Sequence, residues 1–164
     1  MNLAKRFFKS IMIVSSVIVV SAVTLSSCDK DDDVNNTPDT MYTVSGNASG
    51  TQVVPAVTGT GSGTITGTFN DNSRVFIYTS TWTDLTAGPT SAGFYNGASG
   101  TTGTAVRTAW DLGSTLTGTG SFTDTLTLTA DEASQLKAGT WYYSYNTLAN
   151  PGGEIRGQLT TTVQ

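Results

Sequence analysis

Histidine is absent from the 164 residues, and cysteine occurs once, at position 28. The missing histidine removes the commonest general base and the commonest metal ligand of proteins. A single cysteine excludes an internal disulfide, and zinc sites usually draw on several cysteine or histidine ligands. We therefore expect no catalytic residues of the familiar kinds, no bound metal and no cofactor.

Charge is also scarce, since charged residues make up only 12% of the chain, against about a quarter in a typical domain. Five basic residues follow position 28, against twelve acidic ones, and the basic residues form no run. Because nucleic-acid binding proteins neutralise phosphates with clusters of lysine and arginine, we expect no nucleic-acid partner. Threonine, serine, glycine and asparagine take the place of charge, and this composition favours strands and tight turns.

The N-terminus begins with a basic segment that ends at Lys9, followed by an uncharged, mostly apolar stretch at 11–25. That length is typical of a signal peptide and short for a membrane-spanning helix. The stretch ends in four residues that resemble the lipobox of bacterial lipoproteins: Leu25, Ser26, Ser27 and Cys28. The resemblance implies that 1–27 is a lipoprotein signal peptide and that Cys28 carries the lipid. A transmembrane anchor with an incidental cysteine is the alternative.

The segment after the cysteine begins with an acidic run at 29–33 and continues with asparagine, threonine and proline. Such a sequence cannot bury a core, so 28–40 is predicted to be a disordered tether. It also resembles the acidic signal that some Gram-negative bacteria use to export lipoproteins to the outer face. We expect a membrane attachment through the N-terminal lipid at the outer membrane, with the domain facing the cell exterior. A periplasm-facing domain is the alternative.

Residues 41–164 alternate short β-type runs with turn residues and predict a single all-β domain. The clearest strand is 74–83, which places Phe76, Tyr78 and Trp82 on one face. Strands spaced about ten residues apart predict a Greek-key, immunoglobulin-like antiparallel β-sandwich, with a closed barrel as the alternative. The other predicted strands are 41–44, 63–69, 91–95, 104–108, 115–122, 140–145 and 154–161.

One short helix is predicted near 130–138. Thr129 and Glu132 have the spacing of a capping box, in which the two residues satisfy each other's backbone N–H groups. Gly139 follows as the residue that ends the helix.

Three segments resemble, in order, the CHRD (chordin-type) domain found in many bacterial secreted proteins. They are 49–55, 90–97 and the run from 140 onward, so the resemblance extends from Met41 to the C-terminus. It implies the fold and an extracytoplasmic address. Since no catalytic motif is found, we expect a non-enzymatic binding or structural module whose partner is an extracellular or envelope protein or a glycan. The most specific stretch is expected to be structural and consists of Pro151, Gly152, Gly153, Glu154, Ile155, Arg156, Gly157 and Gln158.

The chain departs from the family pattern at three positions. Phe94, Asn96 and Asn146 stand where many relatives have histidine. If those histidines bind metal or perform chemistry in other members, the resemblance implies that this chain has lost that function.

Three sets of side chains leave functional alternatives open. Glu154 and Arg156 flank Ile155 and would share a strand face, where they form either an ion pair that closes the last strand or a recognition site. Aromatic residues supply either core or a sugar-stacking platform: Trp82, Trp110, Trp141, Tyr142, Tyr143 and Tyr145. Carboxylates beside the turns could instead serve a carboxylate-based metal site or a carbohydrate-active enzyme: Asp71, Asp84, Asp111, Asp124, Asp131, Glu132 and Glu154.

Overall fold

The computed structural model describes residues 38–113 and 116–164. The predicted signal peptide, Cys28 and most of the predicted tether lie outside the described residues. None of the helices in the described part of the chain is long and apolar enough to cross a membrane.

The described residues form one antiparallel sheet and a single short α-helix, which confirms the predicted all-β fold. The helix, α1, spans Ala130–Lys137, and a 3-10 turn spans Gly50–Gln52. The strands are β1 (Met41–Ser49), β2 (Ser62–Asn70), β3 (Val75–Thr83), β4 (Ser91–Asn96), β5 (Thr104–Ala105), β6 (Gly120–Thr127), β7 (Trp141–Asn146), β8 (Ile155–Gln158) and β9 (Thr160–Val163).

The sheet runs in the order β5-β4-β7-β8-β1-β2-β3-β6, and β9 pairs with β1. It curls so that its two halves pack face to face, as in a sandwich. Rings from opposite halves meet in the core, where Tyr78 lies 5.0 Å from Phe94 and Trp82 lies 5.0 Å from Tyr145 between ring centroids. The C-terminal residues join the halves, because β8 pairs with β7 and β9 pairs with β1.

The alternation predicted for β3 is confirmed. Phe76, Tyr78 and Trp82 are buried, whereas Ile77 on the opposite face is 50% exposed. The outer face carries hydroxyl groups that hydrogen-bond between neighbouring strands. The hydroxyl oxygens of Thr64 and Thr81, for example, are 2.8 Å apart. This arrangement accounts for the high threonine content, because branched side chains fit a pleated surface and their hydroxyls pair across it.

The helix follows the predicted capping box. The Thr129 hydroxyl accepts the backbone N–H of Glu132, and the Glu132 carboxylate accepts the backbone N–H of Thr129. Gly139, just beyond the helix, has a φ of +69°. Lys137 at the C-terminal end forms an ion pair with Asp71 in the turn between β2 and β3, which fastens α1 to the sheet.

Four predicted strands have wrong bounds. The strand predicted at 41–44 continues to Ser49. The strand predicted at 115–122 lies at 120–127, because Asp124, which reads as a turn residue, instead pairs with Tyr78 inside the β3–β6 ladder. The strand predicted at 104–108 has only two residues. The strand predicted at 154–161 is divided at the buried Leu159, where the chain leaves β7 and joins β1.

Asp39, in the predicted tether, contacts the folded domain. Its carboxylate accepts hydrogen bonds from the side-chain amides of Asn70 and Asn72, at 2.7 and 2.8 Å. These contacts fasten the chain that enters β1 to the turn between β2 and β3.

Candidate functional site

Glu154 lies within the 151–158 motif, immediately before β8, and is 3% exposed. One carboxylate oxygen accepts the backbone N–H of Thr86 at 2.7 Å. The other accepts the hydroxyls of Thr86 and Thr147. Glu154 therefore fastens the loop after β3 and the turn after β7 to one buried point.

Burial by itself raises the pKa of the Glu154 carboxyl. The hydrogen bonds donated by Thr147 and Thr86 outweigh that effect, so the pKa lies below its ordinary value of 4.5. The surroundings thus stabilise the charged form through hydroxyl and backbone donors.

Arg156 is 4% exposed and lies over the Tyr142 ring, 3.6 Å from the guanidinium carbon to the ring centroid. Its guanidinium donates hydrogen bonds to the backbone carbonyls of Thr101 and Ala98, at 2.6 and 2.9 Å. Burial lowers the pKa of this group. Arg156 therefore holds the loop between β4 and β5 over the outer face of the sheet.

The expected ion pair between Glu154 and Arg156 is wrong. The ion pairs among the described residues are Arg107–Glu132 and Lys137–Asp71. Glu154 precedes β8 instead of lying within it, so the parity that would put the two charges on one strand face does not apply. Each charge binds a separate set of loop groups.

The aromatic residues belong mainly to the core. Trp82, Trp141, Tyr143 and Tyr145 are buried, and burial raises the pKa of both tyrosines. Tyr142 on the other face is covered by Arg156. A sugar-stacking platform on these rings is therefore blocked by the protein itself.

A cavity of about 290 Å³ lies where the two edges of the curled sheet approach each other. The segment 106–112 crosses this gap. The backbone N–H groups of Val106 and Trp110 bond to β4, and the Arg107 guanidinium bonds to the Thr127 carbonyl of β6 at 2.7 Å. The cavity is lined by Phe94, Arg107, Thr108, Ala109, Trp110, Asp111, Asp124 and Leu126.

Tyr78 lies beside this cavity and has an unusual environment. Its hydroxyl is buried and has no hydrogen-bond partner, although the great majority of buried polar groups have one. Burial and the negative charge of Asp124 raise the pKa of this hydroxyl. The ring contacts two residues of the cavity wall, with centroid distances of 5.0 Å to Phe94 and 5.5 Å to Trp110.

Sequence reasoning named Asp111, Asp124 and Trp110 in separate candidate sets but did not bring them together at one site. It placed Tyr78 on the core face and Asp124 beside a turn. The available signal was the two-residue alternation of a strand. Asp124 lies two residues from both Phe122 and Leu126, so its side chain projects inward from β6 as theirs do. Trp110 was identified as a candidate ring, and it is only partly buried.

The three positions that lack the family's histidines do not converge. Phe94 is a core residue that pairs with Tyr143 in the β4–β7 register and projects from the inner face. Asn96 has the same parity, whereas Asn146 pairs with Ser91 at the other end of the ladder and has the opposite parity. The described residues contain no group of three or more aspartate, glutamate, cysteine or histidine side chains that could hold a metal.

The fold and the 151–158 motif define an all-β module of the sandwich type. Residues 44–159 match the family model of the CHRD domain, and the chain belongs to that family. CHRD domains are generally regarded as binding or structural modules. A search of curated proteins and a search of solved structures found no match to the chain.

Proposed function

We propose that this protein is a lipid-anchored outer-membrane lipoprotein whose CHRD domain faces the cell exterior and acts as a non-enzymatic binding module. The Cys28 thiol is acylated before 1–27 is cleaved off, and residues 28–40 form the tether. The partner is an extracellular or envelope protein or a glycan.

One observation carries the binding role: a cavity of about 290 Å³ opens between the two sheet edges and has aromatic rings and carboxylates on its walls. The charged groups of the 151–158 motif, in contrast, bond to loops of the protein itself. A concave, partly apolar surface with a few available polar groups is the usual form of a ligand site.

The anchoring is tested by protease accessibility on intact cells that produce the wild-type protein or Cys28→Ala. We expect cleavage of the wild-type domain on intact cells, and release or mislocalisation of the variant, because a lipid anchor requires the cysteine thiol. Protection on intact cells, followed by cleavage after permeabilisation, would show that the domain faces the periplasm.

The alternative is a carbohydrate-active enzyme, which is favoured by one observation: Asp111 and Asp124 line the same cavity. We expect the purified protein to leave aryl glycosides of common sugars unhydrolysed. Hydrolysis that is lost in Asp111→Asn would establish the enzyme and overturn the binding-only role.

A further inference from the structure

A second cavity, of about 110 Å³, lies on the outer face of the sheet where β4, β7 and β8 run side by side. Its lining includes Tyr95 and Tyr142, which pair across β4 and β7. Ser144 and Arg156, which pair across β7 and β8, project from the same face, because side chains two residues apart on a strand point the same way. The cavity shares no lining residue with the larger one between the sheet edges.

Arg156 brings into this cavity a positive charge that the protein does not balance. The side chain is 4% exposed, and arginine is almost never fully buried unless it is paired. Within the described ranges 38–113 and 116–164, however, Arg156 forms no ion pair, and none of the lining residues is acidic. Burial lowers the pKa of the guanidinium, and the opposing influence comes from Tyr142 instead of a carboxylate.

The guanidinium of Arg156 also keeps one hydrogen-bond donor free. Its two terminal nitrogens bond to the backbone carbonyls of Thr101 and Ala98, and one of them also reaches the side-chain oxygen of Gln158 at 3.4 Å. Its Nε donates no hydrogen bond within the described part of the chain. This atom is not sealed, because the Tyr78 hydroxyl is the only buried side-chain polar atom there that lacks a partner. The buried cation therefore presents an accessible N–H.

The other lining groups favour one class of anion. The Tyr142 hydroxyl accepts the backbone N–H of Gly103 at 3.1 Å and donates to no group in the described ranges, so its proton is available. Val53 and Val54 supply apolar surface, which favours an organic acid over an inorganic ion. A carboxylate carries one negative charge, which one guanidinium balances, whereas a phosphate monoester carries about two.

We propose that this cavity binds the carboxylate group of a small organic acid. Arg156 supplies the opposite charge through Nε, the Tyr142 hydroxyl donates a second hydrogen bond, and Val53 and Val54 contact the carbon skeleton. The volume of about 110 Å³ is below that of sites that enclose a whole drug-sized ligand, so the carboxylate enters and the rest of a larger acid stays outside. This inference goes beyond the proposed function, because it assigns a site and a ligand class separate from the larger cavity.

The test is a ligand titration of the isotope-labelled full-length protein in detergent, followed by NMR through the Nε–H signal of Arg156. Acetate is compared with acetamide, and glucuronate with glucose, so that each pair differs in its carboxylate. The ionic strength is held constant, because salt screens charges. We expect at least one carboxylate to shift the signal saturably and its neutral twin to bind at least about tenfold more weakly, because arginine–carboxylate hydrogen bonds are charge-assisted.

The pattern of binding also narrows the ligand. Binding of acetate supports a site for which the carboxylate suffices, and binding of glucuronate alone supports a site for an acidic sugar. Arg156→Lys assigns the signal by removing it. If that variant does not fold, lysine substitutions at the other three arginines assign the signal by elimination.

Thr102→Glu and Thr102→Gln form a matched pair of variants at the cavity. Thr102 lines it and is exposed, so neither change should disturb the fold, which the melting temperature verifies. The glutamate adds a competing negative charge near Arg156 and should weaken carboxylate binding about tenfold. The glutamine has nearly the same size without the charge, and this variant should bind as the wild type does.

Three results would overturn the carboxylate site: no shift with either carboxylate, equal binding by the neutral twins, or unchanged binding in Thr102→Glu. Tighter binding of phosphate than of both carboxylates would also contradict it. Absence of binding would show that Arg156 only fastens the loop at 97–103, with water completing its hydrogen bonds. These failures leave the anchored binding module intact, since protease accessibility and the binding of a neutral glycan test that function separately.

Discussion

Glu154→Ala should lower the free energy of unfolding by on the order of 3 kcal/mol. The change leaves the Thr86 N–H and the hydroxyls of Thr86 and Thr147 without their shared acceptor. Since the site is buried, water does not fully replace the carboxylate. Urea unfolding followed by tryptophan fluorescence measures the loss.

Glu154→Gln is the matched control, because it keeps the size of the side chain and one carbonyl acceptor. It should lose about 1 kcal/mol. Equal stability of the alanine variant and the wild type would mean that the two loops are held by other contacts and that Glu154 is not the fastening point.

The wild type and Glu154→Gln should also differ in how their free energy of unfolding responds to acid. The folded pKa of Glu154 lies below 4.5, so on acidification the unfolded state takes up this proton first. The contribution of Glu154 is therefore complete above the unfolded pKa and is lost as the pH falls through the folded one. Between about pH 5 and about pH 3, the wild type should lose more stability than Glu154→Gln. Parallel losses would contradict the lowered pKa.

Gly157→Ala should lower the free energy of unfolding by about 3 kcal/mol. A Cβ at this position would lie 2.6 Å from Cε1 of Tyr143 and 2.8 Å from the backbone oxygen of Asn47. Tyr143 is fully buried, and Asn47 belongs to β1, so neither neighbour can move aside easily. Thermal and urea unfolding measure the effect.

Gly152→Ala tests whether the loss depends on this close packing, because it is the same substitution within the same motif. No atom lies within 4 Å of a Cβ built at Gly152, so we expect a change of less than about 0.5 kcal/mol. Equal losses in the two variants would indicate a shared backbone effect in place of a steric one.

Local patterns predicted the elements whose signals lie within a few residues. The alternation in 74–83 was sufficient for β3, because the side chains of a strand point to opposite faces in turn. The capping box at Thr129 and Glu132 was sufficient for α1, because both hydrogen bonds form within one turn. The 151–158 motif indicated the family, which the match over 44–159 confirms.

The candidate site was less accessible to sequence reasoning. Asp124 has the chemical character of a turn residue, and only its pairing with Tyr78 places it in a strand beside the cavity. The separation of Glu154 from Arg156 likewise depends on loops that are distant in sequence, at Thr86 and at Thr101. Spacing within a motif does not reveal which distant loop supplies a partner.

The sequence by itself determined the all-β class, the short helix and the family, because composition, alternation and capping act over short distances along the chain. The tertiary structure decided which polar groups are satisfied and which remain free. Curling of the sheet brings the segment 106–112 against β6 and leaves the Tyr78 hydroxyl without a partner. That outcome depends on the meeting of two sheet edges, and no local pattern encodes the distance between them.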